Sequence, residues 1–271
     1  MKRRFLALVL AGCLAAVLST AAWASETPTS VSTESELTTA LGDTAVTSIQ
    51  LKGNIDISNT LVVTKDVTLD LNGFVLQHEN RDANDSVIKI ESGTLTLVDS
   101  NPDAIHKFVK EATGLWTLNE NAGTEIVKGG VITGGTGSTY KYNNDIGQIV
   151  YNDCGGGVFV APGASFIMEG GNIVGCSAGK SGGGVKVTND GDFKMSGGTI
   201  SGCTAGGGGG IDNRGTTTLS DNAKIKSCSA TGTGRDDHGG GVCSYRNLTV
   251  SGSMVISGCT AQNNKSYAMY V

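Results

Sequence analysis

The chain of 271 residues has little proline (3), little histidine (3) and few aromatic side chains (5%). It also lacks any excess of positive charge: 20 Lys and Arg stand against 25 Asp and Glu, a formal net charge of −5. Phosphate recognition needs clustered Lys and Arg, so this balance leaves no nucleic-acid footprint. No basic patch for anionic lipid is present either. Beyond the first two dozen residues, no stretch is apolar enough to cross a bilayer. There is no Cys-x-x-Cys and no local pairing of histidines, so no metal site and no cofactor is expected. A regular Thr-x-Thr array, which ice binding on a repeat surface requires, is missing; Thr216-Thr217-Thr218 occurs once. What the chain does have is glycine, 41 residues. Without a G-X-Y period this is not collagen. Apolar residues recur regularly between the glycines, which points to a repeated backbone with many tight turns rather than to disorder.

The N-terminus reads as a secretory signal. Lys2, Arg3 and Arg4 form a positive n-region, Phe5 to Val17 is an almost unbroken apolar run, and Ala22-Trp23-Ala24 is a small-x-small cleavage site. The expected mature chain starts at Ser25, is secreted or surface-associated, and has no transmembrane segment. Losing residues 1–24 removes three cations and no acid, which takes the formal charge from −5 to −8.

Internal repeats decide the fold. Gly-Gly-Gly-Val/Ile recurs, ending at Val158, Val185, Ile211 and Val242. An alternating pair follows: Phe166/Met168, Phe193/Met195, Thr217/Leu219 and Leu248/Val250. Then comes Ile-x-Gly/Ser-Cys, with Ile173, Ile200, Ile225 and Ile256 leading to Cys176, Cys203, Cys228 and Cys259. The cysteine spacings are 27, 25 and 31 residues. Helical repeats of this length would need apolar residues at i, i+3, i+4 and i+7. Here each apolar run is short, has period two and is bounded by Gly, Asn, Asp or Ser, which is a strand-and-turn signature. The expectation is an all-β, right-handed parallel β-helix with three short strands per coil, each strand pairing with its equivalent about 4.8 Å along. Phe166 then lies near Phe193, the isoleucines form a column, and Lys186, Lys194 and Lys226 point outward.

The earlier half repeats more loosely. Irregular entry coils are expected over 43–125 and regular Gly-rich coils over 126–271. Thr33-Glu34-Ser35-Glu36 matches a capping box, and Leu37, Ala40 and Leu41 give a short apolar face. Residues 33–42 are therefore expected to form a helix covering the first coil, after a flexible stretch at 25–32. Ser266 to Val271 reads as the start of one more Gly-Gly-Gly-Val-type strand.

Met195-Ser196-Gly197-Gly198-Thr199-Ile200-Ser201-Gly202-Cys203-Thr204-Ala205, Val67-Thr68-Leu69-Asp70-Leu71-Asn72-Gly73 and the Ile49 to Ser58 segment together resemble a known group. It is the right-handed β-helix repeat proteins of bacterial surfaces, adhesin-like members of the broad pectate-lyase-like superfamily. The resemblance covers most of residues 31–271. It implies the fold and an extracellular place of work. Function is less constrained, because the same coil carries adhesins, enzymes and structural proteins.

Six cysteines remain once Cys13 leaves with the signal. An even count in a secreted chain suggests disulfides, but Cys176, Cys203, Cys228 and Cys259 share one position in the repeat and should form a vertical ladder. Stacked thiols acting as small apolar residues are the first reading; one or two disulfides between adjacent rungs are the second.

Loop length marks the candidate site. Ile132 to Ile173 spans 41 residues against 27 from Ile173 to Ile200, and the excess falls in 136–153. A second long loop spans 229–238, whereas 177–181 and 204–207 read as short ones. Two tall loops flanking a low floor would make a groove of saccharide width. Its candidate ligand-binding residues are Tyr140, Tyr142, Asp145 and Tyr151 on one wall, and Arg235, Asp236, Asp237 and His238 on the other. No catalytic residue is assigned. Glycoside hydrolysis needs two carboxylates about 5–9.5 Å apart, and adjacent aspartates in one loop rarely supply that. A lyase would need an acidic cluster on a strand face, which is not seen. His78 and His106 read as isolated surface or loop residues. The functional expectation is a non-catalytic adhesin-like scaffold whose partner is an extracellular glycan or a host or bacterial surface protein. The alternatives are a polysaccharide-acting lyase or glycoside hydrolase, and a purely structural repeat module.

Overall fold

The computed structural model describes residues 27–81, 84–144, 147–234, 238–262 and 268–271. The segment read as a signal lies outside them. Among the described residues the chain is all-β apart from one helix, and nearly all the strands pair in parallel. Sheet I stacks Thr29–Val31, Ser48–Leu51, Val67–Asp70, Thr94–Val98, Ser165–Met168, Asp192–Met195, Thr216–Leu219 and Asn247–Val250 in that spatial order. Sheet II runs through Ile55–Ile57, Val75–His78, Val131–Thr133, Asn172–Val174, Thr199–Ser201, Lys224–Lys226 and Val255–Ser257. Sheet III takes Leu61–Val63, Ile88–Ile90, Val158–Val160, Val185–Val187, Ile211–Asn213, Val242–Ser244 and Met269–Tyr270. Sheet IV contains Ser138–Asn144, Gly147–Cys154, Ser177–Ser181, Thr204–Gly207, Ser229–Ala230 and Thr260–Ala261. From Val158 onward the chain visits sheets III, I, II and IV in turn, an arrangement compatible with a β-helix.

From Val158 onward each repeat therefore contributes four strands, whereas the entry coils over 48–90 have the expected three. The segments Ser177–Ser181 and Thr204–Gly207, read from sequence as short loops, are the strands of sheet IV. They escaped notice because their inward residues, Ala178 and Ala205, are small and leave no period-two apolar signature. The early part is also more regular than its sequence: Ile49 pairs with Leu69, and Leu95 with Phe166, inside sheet I. The irregularity lies elsewhere. Ile105–Lys110, Trp116–Leu118 and Glu125–Lys128 form a separate antiparallel sheet, so residues 125–128 belong to an insertion rather than to a regular coil.

Alternation of side chains along each strand builds one long core. Ile132, Ile173, Ile200 and Ile225 are in register and fully buried. The Phe166 and Phe193 rings stack at 5.0 Å, 8° from parallel. Glycine sets how closely the repeats approach. A Cβ on Gly184 would stand 2.6 Å from both the Gly210 carbonyl oxygen and Ile200 Cγ2, and Gly182 turns with φ +69°. The antiparallel insertion makes a second, smaller core outside sheet II, where Phe108, Trp116 and Val127 meet Val75, Val131 and Val174. The Trp116 amide donates to the Gly202 carbonyl at 3.0 Å.

The helix α1 spans Glu34–Gly42 with Thr33 as N-cap, its hydroxyl accepting from the Glu36 amide at 3.2 Å. The Glu36 carboxylate reaches back to the Ser32 amide at 2.7 Å, one residue earlier than a capping box would place it. Leu37, Ala40 and Leu41 are buried in the main core. Among the described residues no helix is long and apolar enough to cross a membrane.

Candidate functional site

The outer face of sheet III holds the groups with chemistry. Its inward residues are Val158, Val185, Ile211 and Val242, so the residue after each points away from the core. Register places Val62, Lys89, Phe159, Lys186, Asp212, Cys243 and Tyr270 in one column. Lys186 is 1% exposed and Asp212 2%. Lys186, expected outside and solvated, is thus outside the main core yet sealed from water.

The insertion at 136–153 seals it. It is a β-hairpin of Ser138–Asn144 and Gly147–Cys154 that joins sheet IV where Cys154 pairs with Ser181. Tyr140 and Tyr151 face each other across the hairpin, with both rings on Phe159, at 5.2 Å tilted and 5.9 Å edge-on. The two tyrosines are thereby half-buried, not free walls of an open groove. Burial raises the Tyr151 hydroxyl pKa. Lys186 Nζ lies 5.8 Å from the Tyr151 ring centroid and forms an ion pair with Asp212. Arg214 Nε is 3.5 Å from the same Asp212 oxygen, and its guanidinium lies over the Tyr245 ring at 4.9 Å.

Between hairpin and sheet lies a cavity of about 350 Å³. Ile149, Val150, Tyr151 and Asn152 line it from the hairpin, and Lys180, Lys186, Asn189 and Arg214 from the sheets and the turns between them. Beyond it along the column, burial pushes the Cys243 thiol up to about 11. His238 stacks on Tyr270 at 4.4 Å, and Tyr245 is 6.0 Å from Tyr270.

The expected site residues divide as follows. Tyr140 and Tyr151 are brought together, and His238 takes its place over the far end of the same column. Tyr142 pairs with Ile149 in the hairpin. Asp145, Arg235, Asp236 and Asp237 lie outside the described residues. Phe159, Lys186, Asp212, Arg214, Asn189 and Tyr245 were missed. A usable signal existed: the middle residue of these sheet III strands changes chemistry from Phe to Lys to Asp to Cys, while the residue before it stays aliphatic (Val158, Val185, Ile211, Val242). His78 and His106 are also not surface residues. Both are buried on strands, and His106 bridges the Glu120 carboxylate (2.8 Å) and the Gly73 carbonyl (2.9 Å).

The cysteines Cys176, Cys203, Cys228 and Cys259 stand on successive repeats, and all six described cysteines are free thiols. The Cys203 and Cys228 sulfurs each donate to the isoleucine carbonyl of the preceding repeat at 3.8 Å, as Cys259 does to Ile225. Burial raises the Cys176, Cys203 and Cys228 pKa values, whereas the hydrogen bond with Cys228 lowers that of Cys259. Among the described residues no cluster of three or more His, Cys, Asp or Glu could hold a metal ion. No family model, curated protein or solved structure matches this chain.

Proposed function

We propose that this chain is a right-handed parallel β-helix, similar to the adhesin-like repeat proteins of bacterial surfaces, and that it is a secreted, non-catalytic scaffold that binds an extracellular glycan. Parallel pairing of equivalent strands in four sheets supports the β-helix. The N-terminal residues 1–24 support export, and N-terminal sequencing of secreted protein should begin at Ser25.

One observation carries the glycan reading: the cavity of about 350 Å³ between the hairpin and the outer face of sheet III. That volume suits one sugar ring. Its lining joins apolar residues, two asparagines and three cations, which together suit a hydroxylated ring. Binding is favoured over hydrolysis because no carboxylate among the described residues lines the cavity, and Asp212 beneath Lys186 and Arg214 is held by both. The test is a glycan array probed with the mature chain and with Asn152→Trp, which fills the cavity from an exposed strand position. Glycan binding that the tryptophan abolishes is the expected result. A blank array for both proteins would reject the glycan in favour of a protein partner or a structural role, and equal binding would move the site elsewhere.

A further inference from the structure

We infer that the ligand of this cavity carries a negative charge: an acidic monosaccharide unit, bearing carboxylate or sulfate, within an extracellular polysaccharide. The inference rests on the glycan reading above and deepens it.

Three cations line the cavity: Lys180, Lys186 and Arg214. Among the described residues no carboxylate does. Among those residues the carboxylate paired with these cations is Asp212, which gives one oxygen to both Lys186 and Arg214. Asp190 acts on Tyr151 from the turn after Val185–Val187, but it is exposed and outside the lining. One buried negative charge thus answers two of three positive charges, and the excess faces the cavity.

Burial makes this excess matter. Among the described residues Asp212 is the hydrogen-bond partner of Lys186, whose ammonium has three donors. Lys186 is almost fully removed from water, so its remaining donors are satisfied best by an acceptor that enters the cavity. Arg214 has donors beyond the one on Asp212, and its plane is held against Tyr245, which fixes the fork before a ligand arrives. Lys180 is exposed and adds attraction at the rim. A ligand anion seated here would neutralise the pair of cations that share Asp212, while its ring lies against Val150 and Tyr151. A sugar fits this better than an acidic peptide because a cavity of about 350 Å³ takes one ring.

The experiment titrates the mature chain calorimetrically with a uronate oligomer, with the same oligomer after carboxyl reduction, with a sulfated neutral oligomer and its unsulfated parent, and with poly-glutamate. Lys180→Gln and Arg214→Gln are titrated beside it, with folding checked by circular dichroism; neither residue belongs to the main core. At least one acidic oligomer should bind about tenfold or more tightly than its neutral counterpart. Arg214→Gln should remove most of that difference, and added salt should weaken the acidic oligomer selectively. Whether uronate or sulfate responds identifies the source of the charge. Equal binding of acidic and neutral oligomers overturns this inference and leaves the glycan reading standing. Binding of no oligomer, with a blank array, removes both. Poly-glutamate binding that Asn152→Trp abolishes, with no oligomer bound, replaces the sugar with an acidic peptide.

Discussion

At the scale of single residues, the structure depends on atoms that have no room to change. Gly184→Ala would press a methyl group against the Gly210 carbonyl and Ile200 Cγ2, both 2.6 Å away. Overpacking of this kind costs about 1–3 kcal/mol, and a lowered urea midpoint with an unchanged slope would show it. The Lys186–Asp212 pair behaves differently. Asp212→Ala leaves a buried ammonium beside Arg214 with no counter-charge and should cost about 3–5 kcal/mol, whereas Lys186→Met with Asp212→Leu should be close to neutral. A double mutant as unstable as Asp212→Ala alone would contradict that account. The cysteine column gives a pH dependence. Burial raises the Cys176, Cys203 and Cys228 pKa values above the unfolded value of about 8.5. Their contribution is therefore fully present below that pH. It falls as pH rises, because the unfolded chain releases protons that the folded chain keeps. The slope is about 1.4 kcal/mol per pH unit for each thiol until the folded thiols titrate. Urea midpoints at neutral and high pH, compared with a variant carrying Ala at all three positions, test this; equal pH slopes would reject it. In native protein Cys259 should alkylate first, since its pKa is lowered and it is only half-buried.

At the scale of elements, two insertions cover two outer faces, and each is fastened by aromatic side chains. Trp116 fastens the antiparallel sheet, with its amide on Gly202 and its ring against that glycine. Trp116→Ala should cost about 3–5 kcal/mol and speed hydrogen exchange in Ile105–Lys110 and Glu125–Lys128 more than in sheet I. Uniform acceleration would mean that the insertion and the main core open together. These insertions were also the hardest part to read from the sequence. The Gly-Gly-Gly-Val, Phe-x-Met and Ile-x-x-Cys landmarks repeat, and repetition alone was enough to place sheets I, II and III. The sheet IV strands Ser177–Ser181, Thr204–Gly207, Ser229–Ala230 and Thr260–Ala261 were invisible because, Lys180 apart, they are made of Ser, Thr, Ala and Gly. The hairpin was seen as excess length, and its tyrosines as an open wall. That they would turn inward depended on Phe159, whose outward position on a strand gave no hint that anything would cover it. The site was missed for a similar reason. Lys186 and Asp212 are 26 residues apart, and only parallel register makes them neighbours.

At the scale of the whole molecule, burial of equivalent residues is unequal along the stack. Ile200 and Ile225 are fully buried, whereas Ile256, next in the same column, is half-buried; Leu219 is buried, but its partner Val250 is 45% exposed. If each repeat of the proposed β-helix touches only its neighbours, local stability follows the number of neighbours it has. A repeat packed on both sides opens only when an adjoining interface breaks, whereas one packed on a single side has half as much to lose. Hydrogen exchange should then be fastest in Asn247–Val250 and Val255–Ser257 and slowest near Phe193 and Ile200. The same reasoning separates two otherwise identical substitutions. Ile200→Ala should cost about 2–5 kcal/mol, as large-to-small changes in a closed core do. Ile256→Ala should cost clearly less, because part of its side chain already meets water and the site can relax. Equal losses in urea midpoint, with exchange protection level along the chain, would mean that the molecule unfolds as one block. Stability would then reside in the continuous core rather than in the interfaces between repeats.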